Sequence, residues 1–151
     1  MNFVYKRKIN YYETDKMGIV HHSNYIRFLE EARSSWLESI GLPMQELERR
    51  GYTIPTLEVR VKYKRHVTCG DIITIRPAVT EYNGLRITVC YEVLEKSTAS
   101  TVIEAMTKHC FTSDKLKPIN MKKHDMEIYQ KFEDLFSLAK NSEEKWTKFA
   151  Q

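Results

Sequence analysis

Residues 23–43 read Ser-Asn-Tyr-Ile-Arg-Phe-Leu-Glu-Glu-Ala-Arg-Ser-Ser-Trp-Leu-Glu-Ser-Ile-Gly-Leu-Pro. Within this stretch Tyr25, Phe28, Leu29, Ala32, Trp36 and Ile40 recur at helical spacing, and Gly41 followed by Pro43 supplies a stop. The spacing predicts a helix over 24–40, with Asn24 as its cap. Arg27, Glu30, Arg33, Ser34 and Glu38 fill the polar positions, while Ile26 and Leu37 widen the apolar face, the pattern of a core helix covered on more than one side. A shorter helix is predicted from Pro43, at its first turn, to Gly51 just past its end, with Met44 and Leu47 facing inward.

On either side of these helices the period changes from 3.6 to two. Leu57, Val59, Val61 and Tyr63 alternate with Glu58, Arg60, Lys62 and Lys64, as a half-buried strand does. Ile73, Ile75 and Val79 lead through Tyr82 to Asn83-Gly84, after which Leu85, Ile87, Val89, Tyr91 and Val93 alternate with polar positions. Asn-Gly between two such runs predicts a hairpin whose two turn residues both adopt positive φ. Further strands are predicted over 101–112 and, before the helix, over 3–11. The order of strand, long helix and antiparallel meander predicts an α+β fold: a long central helix wrapped by a strongly curved antiparallel sheet of about five strands. Residues 1–120 make that domain. Helical spacing resumes at Ile128, Tyr129, Phe132, Leu135, Phe136 and Ala139, giving a C-terminal helical extension within 121–151 that packs on or near the same domain, with Trp146 and Phe149 prolonging it.

Composition bounds the function. A chain of 151 residues with 42% hydrophobic and 29% charged residues has the makings of one ordinary globular core. Its net charge is only +4 and no run of five basic residues occurs, so no nucleic-acid partner is expected. The cysteines, Cys69, Cys90 and Cys110, are too few and too far apart for a disulfide framework or a Cys-x-x-Cys metal site. No apolar run approaches a secretory core or a membrane span. The expectation is a cytoplasmic protein that needs no metal and no cofactor.

Chemistry concentrates in Tyr11-Tyr12-Glu13-Thr14-Asp15-Lys16-Met17-Gly18-Ile19-Val20-His21-His22-Ser23-Asn24-Tyr25, between the first strand and the central helix. A loop that runs into a helix N-terminus offers unpaired N–H groups and the positive end of the helix dipole to an anion or a developing oxyanion. Asp15 presents a carboxylate to that spot, Gly18 permits close backbone approach, and His22 lies at the start of the helix. Plainer roles compete: Asp15 as a turn residue or cap, His21 and His22 as surface residues, and Tyr11 as packing at a strand end. No His-Glu-x-x-His pattern suggests a metal site.

The run Tyr-x-x-Thr-Asp-x-x-Gly-Ile-Val-x-His-x-Asn-Tyr over 11–25, followed by Phe28-Leu29-Glu30-Glu31-Ala32-Arg33, resembles the signature of hotdog-fold acyl-CoA thioesterases, in particular the YbgC-like branch of the 4-hydroxybenzoyl-CoA thioesterase family. The resemblance spans roughly 3–118 and includes the hairpin Tyr82-Asn83-Gly84-Leu85-Arg86. It implies hydrolysis of acyl-CoA to free acid and CoA, with catalytic Asp15, His22 and Tyr11, and with Gly18, Val20, Ser23 and Tyr25 around the substrate. An amide near His22 would polarise the thioester carbonyl. A thioester, being electrophilic and leaving as a thiolate, needs no serine nucleophile, and no Gly-x-Ser-x-Gly elbow is present. The resemblance further implies homo-oligomers, dimers of hotdogs whose sheets join edge to edge with sites at the interface, and commonly tetramers. Lys62, Lys64, Arg65, Arg86 and Lys108 are candidates for the CoA phosphates. Lys16-Met17, where relatives carry a small or apolar pair, and the tail beyond 120 depart from the pattern. An acyl-carrier-protein thioesterase, a dehydratase using Glu30 or Glu31 with His22, and a non-catalytic acyl-CoA-binding protein are the alternatives.

Overall fold

The computed structural model describes residues 2–142 and Trp146. Along the chain run β1 (Tyr5–Lys8), a 3-10 turn (Tyr11–Glu13), α1 (Asn24–Ser39), α2 (Met44–Arg49), β2 (Tyr52–Thr53), β3 (Thr56–Tyr63), β4 (Ile72–Tyr82), β5 (Arg86–Glu95), β6 (Ser100–Cys110), β7 (Thr112–Ser113), α3 (Met121–His124) and α4 (Met126–Lys140). Five strands form one antiparallel sheet in the order β1-β4-β5-β6-β3, and β2 pairs with β7 apart from it. The α+β reading holds, with the long helix where the 3.6 period put it.

The helix and sheet share one core because each has an apolar face to hide against the other. Phe28, Leu29, Ala32 and Trp36 of α1 are buried in one cluster with Ile73 and Ile75 of β4, Val89 and Val93 of β5 and Ile103 of β6. Burying each large side chain contributes about 1.5–3 kcal/mol, far above the few tenths that helix propensity supplies, so packing decides where α1 lies. α4 covers the far end: Ile128 and Phe132 are buried in the same cluster, and the Phe132 ring meets Phe111 edge-on at 5.2 Å and Tyr82 at 5.9 Å. Trp146 packs instead on Cys90 and Met106, while Phe149 lies outside the described residues.

Several local expectations are corrected. The first strand stops at Lys8 rather than continuing to 11, because the Glu13 carboxylate accepts the Asn10 N–H at 2.8 Å and winds the chain into the 3-10 turn. At the hairpin only Gly84 has positive φ; the loop has three residues, 83–85, and the Asn83 side-chain oxygen accepts the N–H groups of Leu85 (3.0 Å) and Arg86 (2.7 Å). The pairing is as expected, but a side chain does what a second left-handed residue would have done. Asn24 is the first residue of α1 and Ser23 takes the cap position. Met44 is 49% exposed, unlike the fully buried Leu47, because α2 turns its first residue outward.

β3 is one of the two edge strands, and while Val61 packs against the core, Leu57 is 49% exposed and Tyr63 51%. An alternating strand with one unpaired edge and exposed apolar side chains is a surface open to pairing.

Candidate active site

The loop between the 3-10 turn and α1 is held by main-chain bonds. Thr14 bridges Val20, Ile19 bridges Thr68, and the Val20 N–H reaches the Val67 carbonyl at 2.9 Å. Inside that frame the Asp15 N–H donates to Ile19 (2.8 Å) and the Gly18 N–H to the Asp15 carbonyl (2.9 Å), so Lys16 and Met17 form the tip. Gly18 has φ +80° with open space where a Cβ would go; conformation rather than crowding calls for glycine there. The Asp15 carboxylate accepts the Met17 N–H through Oδ1 at 2.8 Å, while Oδ2 has no hydrogen-bond partner among the described residues. Asp15 is thus a turn residue with one oxygen left over.

Beneath the loop lies a charged clamp that sequence reasoning missed. Arg7 donates from Nη1 and Nη2 to the two oxygens of Glu13, each at 2.8 Å, and from Nε to Glu31 at 2.9 Å. Its guanidinium lies 4.0 Å over the Phe28 ring. The Tyr5 hydroxyl donates to the same Glu31 oxygen at 2.9 Å. Burial pushes the Glu13 carboxyl up, but the Arg7 guanidinium and the Asn10 N–H overcome it and hold the group below its usual range. Glu13 then ties the loop to the helix: its carbonyl accepts the His21 N–H at 2.9 Å and the Asn24 side-chain amide at 2.8 Å. The available signal was the period-two placement of Tyr5 and Arg7, which puts both on one side of β1 facing Glu31.

Above the clamp opens a cleft of about 310 Å³ lined by Asp15, Val20, His22, Tyr25, Tyr63 and Lys64, with Met17, Ile19, Arg65 and His66 around them. Of the sequence-selected residues, Asp15, Val20, His22 and Tyr25 meet there. Gly18 shapes the turn without lining the cleft, and Ser23 is engaged elsewhere, its hydroxyl 2.8 Å from His21 Nδ1, the nitrogen that also accepts the Ser23 N–H at 3.2 Å. Tyr11 is not brought in: it stands on the 3-10 turn, 82% exposed. The strand that would have carried its hydroxyl toward Asp15 ends at Lys8.

Tyr25 is 3% exposed, and its hydroxyl has no hydrogen-bond partner among the described residues. Burial, with a smaller contribution from Tyr63, pushes its phenol up to about 12, so it stays a proton donor throughout the neutral range. Tyr63, which the sequence showed only as a strand residue, donates its hydroxyl to the His22 carbonyl at 3.2 Å and meets the His22 ring edge-on at 6.4 Å. Of the cationic candidates, Lys64 and Arg65 border the cleft, whereas Lys108 pairs with Glu58 at 3.7 Å. Glu31, bound by Arg7 and Tyr5, is not free to act with His22 as a dehydratase pair. Among the described residues no three His, Cys, Asp or Glu side chains converge as a metal site would require. No helix is long and apolar enough to cross a membrane.

The cleft can therefore place a carboxylate oxygen, a phenol and an imidazole around one group, under a basic rim. Residues 9–131 match the thioesterase-like superfamily. An Aquifex aeolicus protein with a provisional esterase name is 34% identical over 128 residues, 85% of this chain and 98% of that protein. The 1,4-dihydroxy-2-naphthoyl-CoA hydrolase of Synechocystis is 26% identical over 108 residues, 71% of this chain and 78% of its own. The crystal structure of a DHNA-CoA thioesterase from Staphylococcus aureus superposes with a TM-score of 0.85 at 22% identity, covering 92% of this chain and 93% of that one. A long helix packed on a five-stranded antiparallel sheet, an Asp-bearing turn at the helix start and these likenesses agree: the chain belongs to the thioesterase-like superfamily and has the hotdog fold.

Proposed function

We propose that the chain hydrolyses acyl-CoA thioesters at the Asp15 cleft. The observation that carries this reading is the Asp15 carboxylate itself, fixed through Oδ1 by the Met17 N–H with Oδ2 unengaged beside His22 and Tyr25. A fixed carboxylate with a spare oxygen either attacks the thioester carbon, giving a mixed anhydride and a thiolate, or takes a proton from an attacking water. In a single turnover in 18O-labelled water, label in Asp15 identifies the first route, with water attacking the Asp15 carbonyl of the anhydride; label in the product acid alone fits either general-base attack or water attack on the acyl carbon of the anhydride. His22 and Tyr25 orient the carbonyl or water, and Lys64 with Arg65 meets the CoA phosphates at the cleft mouth. Placement in the YbgC-like branch rests on Asp15, His22 and Tyr11 occupying that branch's positions; of these Tyr11 stands furthest from the cleft's chemistry.

Pairing of two copies through β3 fits the unpaired edge and its exposed Leu57 and Tyr63. Antiparallel two-fold pairing would set the Thr56 end of one copy beside the Tyr63 end of the other. Light scattering gives the assembled mass, with a dimer or tetramer expected. The direct test of function is free-thiol release from a panel of short, long and aromatic acyl-CoAs. Hydrolysis of at least one class is the expected result, and no release from any of them overturns the reading.

A further inference from the structure

Of the two adjacent histidines at the start of α1, only one is fixed by its own hydrogen bonds. The His21 N–H donates to the Glu13 carbonyl at 2.9 Å, and its Nδ1 lies 2.8 Å from the Ser23 hydroxyl and accepts the Ser23 N–H at 3.2 Å. That ring is committed to the turn that opens the helix. His22 is exposed and lines the Asp15 cleft, and its ring makes no hydrogen bond among the described residues. An exposed side chain without a partner samples several staggered rotamers, and a group that must orient a water or a carbonyl loses by that freedom.

The contact that limits His22 comes from the sheet. Side chains two apart on β3 share a face, so Tyr63 follows Val61, which packs against the core, and reaches past it to the first turn of α1. There its ring meets Tyr25 at 5.7 Å and the His22 ring edge-on at 6.4 Å, and its hydroxyl donates to the His22 carbonyl at 3.2 Å. That carbonyl precedes the helix and accepts no main-chain N–H, so the Tyr63 hydroxyl is its partner among the described residues. Packing on Tyr25 and His22 asks only for an aromatic ring. At 51% exposure the hydroxyl has water within reach, so burial does not force its bond to the main chain. The hydroxyl is the part of Tyr63 that packing leaves unexplained.

We propose that Tyr63 is a positioning residue for hydrolysis at the Asp15 cleft: its hydroxyl holds the His22 peptide and its ring edge holds the imidazole, so that His22 faces the space beside the unengaged Asp15 oxygen. The inference rests on the thioesterase reading and adds to it a residue that acts through His22. His22 is then held from two sides, by the turn through Glu13 and His21 and by the edge strand through Tyr63. The sheet thereby sets the aim of a group that the loop carries.

The test is a double-mutant cycle. Tyr63→Phe keeps the ring and removes the hydroxyl, whereas Tyr63→Leu removes both. On the acyl-CoA that the unaltered protein turns over fastest, Tyr63→Phe should lower kcat about 10-fold and Tyr63→Leu about 100-fold, with KM changed less than about 3-fold. With His22→Ala in place, neither change at Tyr63 should lower kcat by more than about 2-fold further, because a residue that acts through His22 has nothing left to aim. Melting of Tyr63→Phe should move by less than about 4 °C and its assembled mass should be unchanged, since an exposed hydrogen bond adds little to folding.

Equal losses with and without His22 overturn the inference and place Tyr63 on the substrate or in the fold. So does a loss of kcat that follows melting temperature or assembled mass, or a rise in KM at constant kcat. Three-bond NMR couplings across the His22 Cα–Cβ bond give a readout independent of turnover: one dominant χ1 rotamer is expected in the unaltered protein, partial averaging in Tyr63→Phe and full averaging in Tyr63→Leu. If no acyl-CoA is hydrolysed while the couplings average as expected, the thioesterase reading falls and the hold of Tyr63 on His22 stands. Couplings that stay the same in both variants overturn that hold whatever the activity.

Discussion

The two polar regions served by α1 are constructed in opposite ways. At its start, Asp15 sits in a partly exposed turn, and the charges that steady the turn, Arg7, Glu13 and Glu31, are set behind it. Midway along, the hydrogen-bonded chain from Arg33 through Tyr91 and Thr107 to His109 is buried and neutral beyond the guanidinium, and it is mounted on the strands β5 and β6. Partial exposure leaves one Asp15 oxygen unengaged among the described residues, while the turn takes its support from behind. Burial gives Arg33 a fixed direction and commits the hydroxyl protons of Tyr91 and Thr107 to the chain. Asp15 thus keeps an unengaged oxygen on a loop, whereas Arg33 on α1 is held by a hydrogen-bonded chain mounted on the sheet.

Asp15→Asn gives the sharpest test of that division. The amide oxygen can still accept the Met17 N–H, so the turn should survive, while thiol release falls by about 100- to 10,000-fold. Ordinary turnover in this variant would remove the cleft from the chemistry. The support behind the loop comes next. Arg7→Met leaves Glu13 buried without its partner and should cost about 3–5 kcal/mol in urea unfolding, with Arg7→Met/Glu13→Gln recovering part of it. Equal stability would show that main-chain bonds alone hold the turn.

A pH titration addresses the buried chain. His109 falls from 6.5 unfolded to about 4 folded, so as pH drops through that window the unfolded state binds the proton first and stability declines, by about 3 kcal/mol in all. His109→Gln should flatten this part of the stability curve; an unchanged curve would mean that His109 is not held neutral. Glu13, also held low, adds its own loss under more acid conditions, with the same sign. The smallest effect is expected at Tyr11. As an exposed side chain it should change stability by less than about 0.5 kcal/mol in Tyr11→Phe, and kcat/KM by less than about 3-fold. A large loss of activity would bring Tyr11 into the site through a second copy of the chain.

Much of this was legible in the chain itself. The 3.6 period of 24–40 and the alternation around Asn83-Gly84 placed α1, β4 and β5 to within a few residues, because which face a residue presents is a local property of the backbone. The cluster at 11–25 marked the loop, and its Asp, His and Tyr25 do meet in one cleft. What could not be read is where distant strands lie side by side. Tyr11 was placed on a strand because nothing nearby showed that Glu13 would turn back to Asn10 and Arg7. Thr107 and His109 lie on the strand expected over 101–112, two residues apart and so on one face of it.

Their partners, however, lie far off in the sequence. Tyr91 is a diagonal neighbour of Thr107 across the β5–β6 ladder, and Thr56 is opposite His109 across β3–β6. Local periodicity and turn chemistry, written in the order of residues, determined the helix, the strands and the loop that carries Asp15. The tertiary structure alone decided that Arg7 lies under Glu13 and that Arg33, Tyr91, Thr107 and His109 join in one chain. Strand order and register bring together groups separated by tens of residues, and only burial makes their charges and hydrogen bonds consequential.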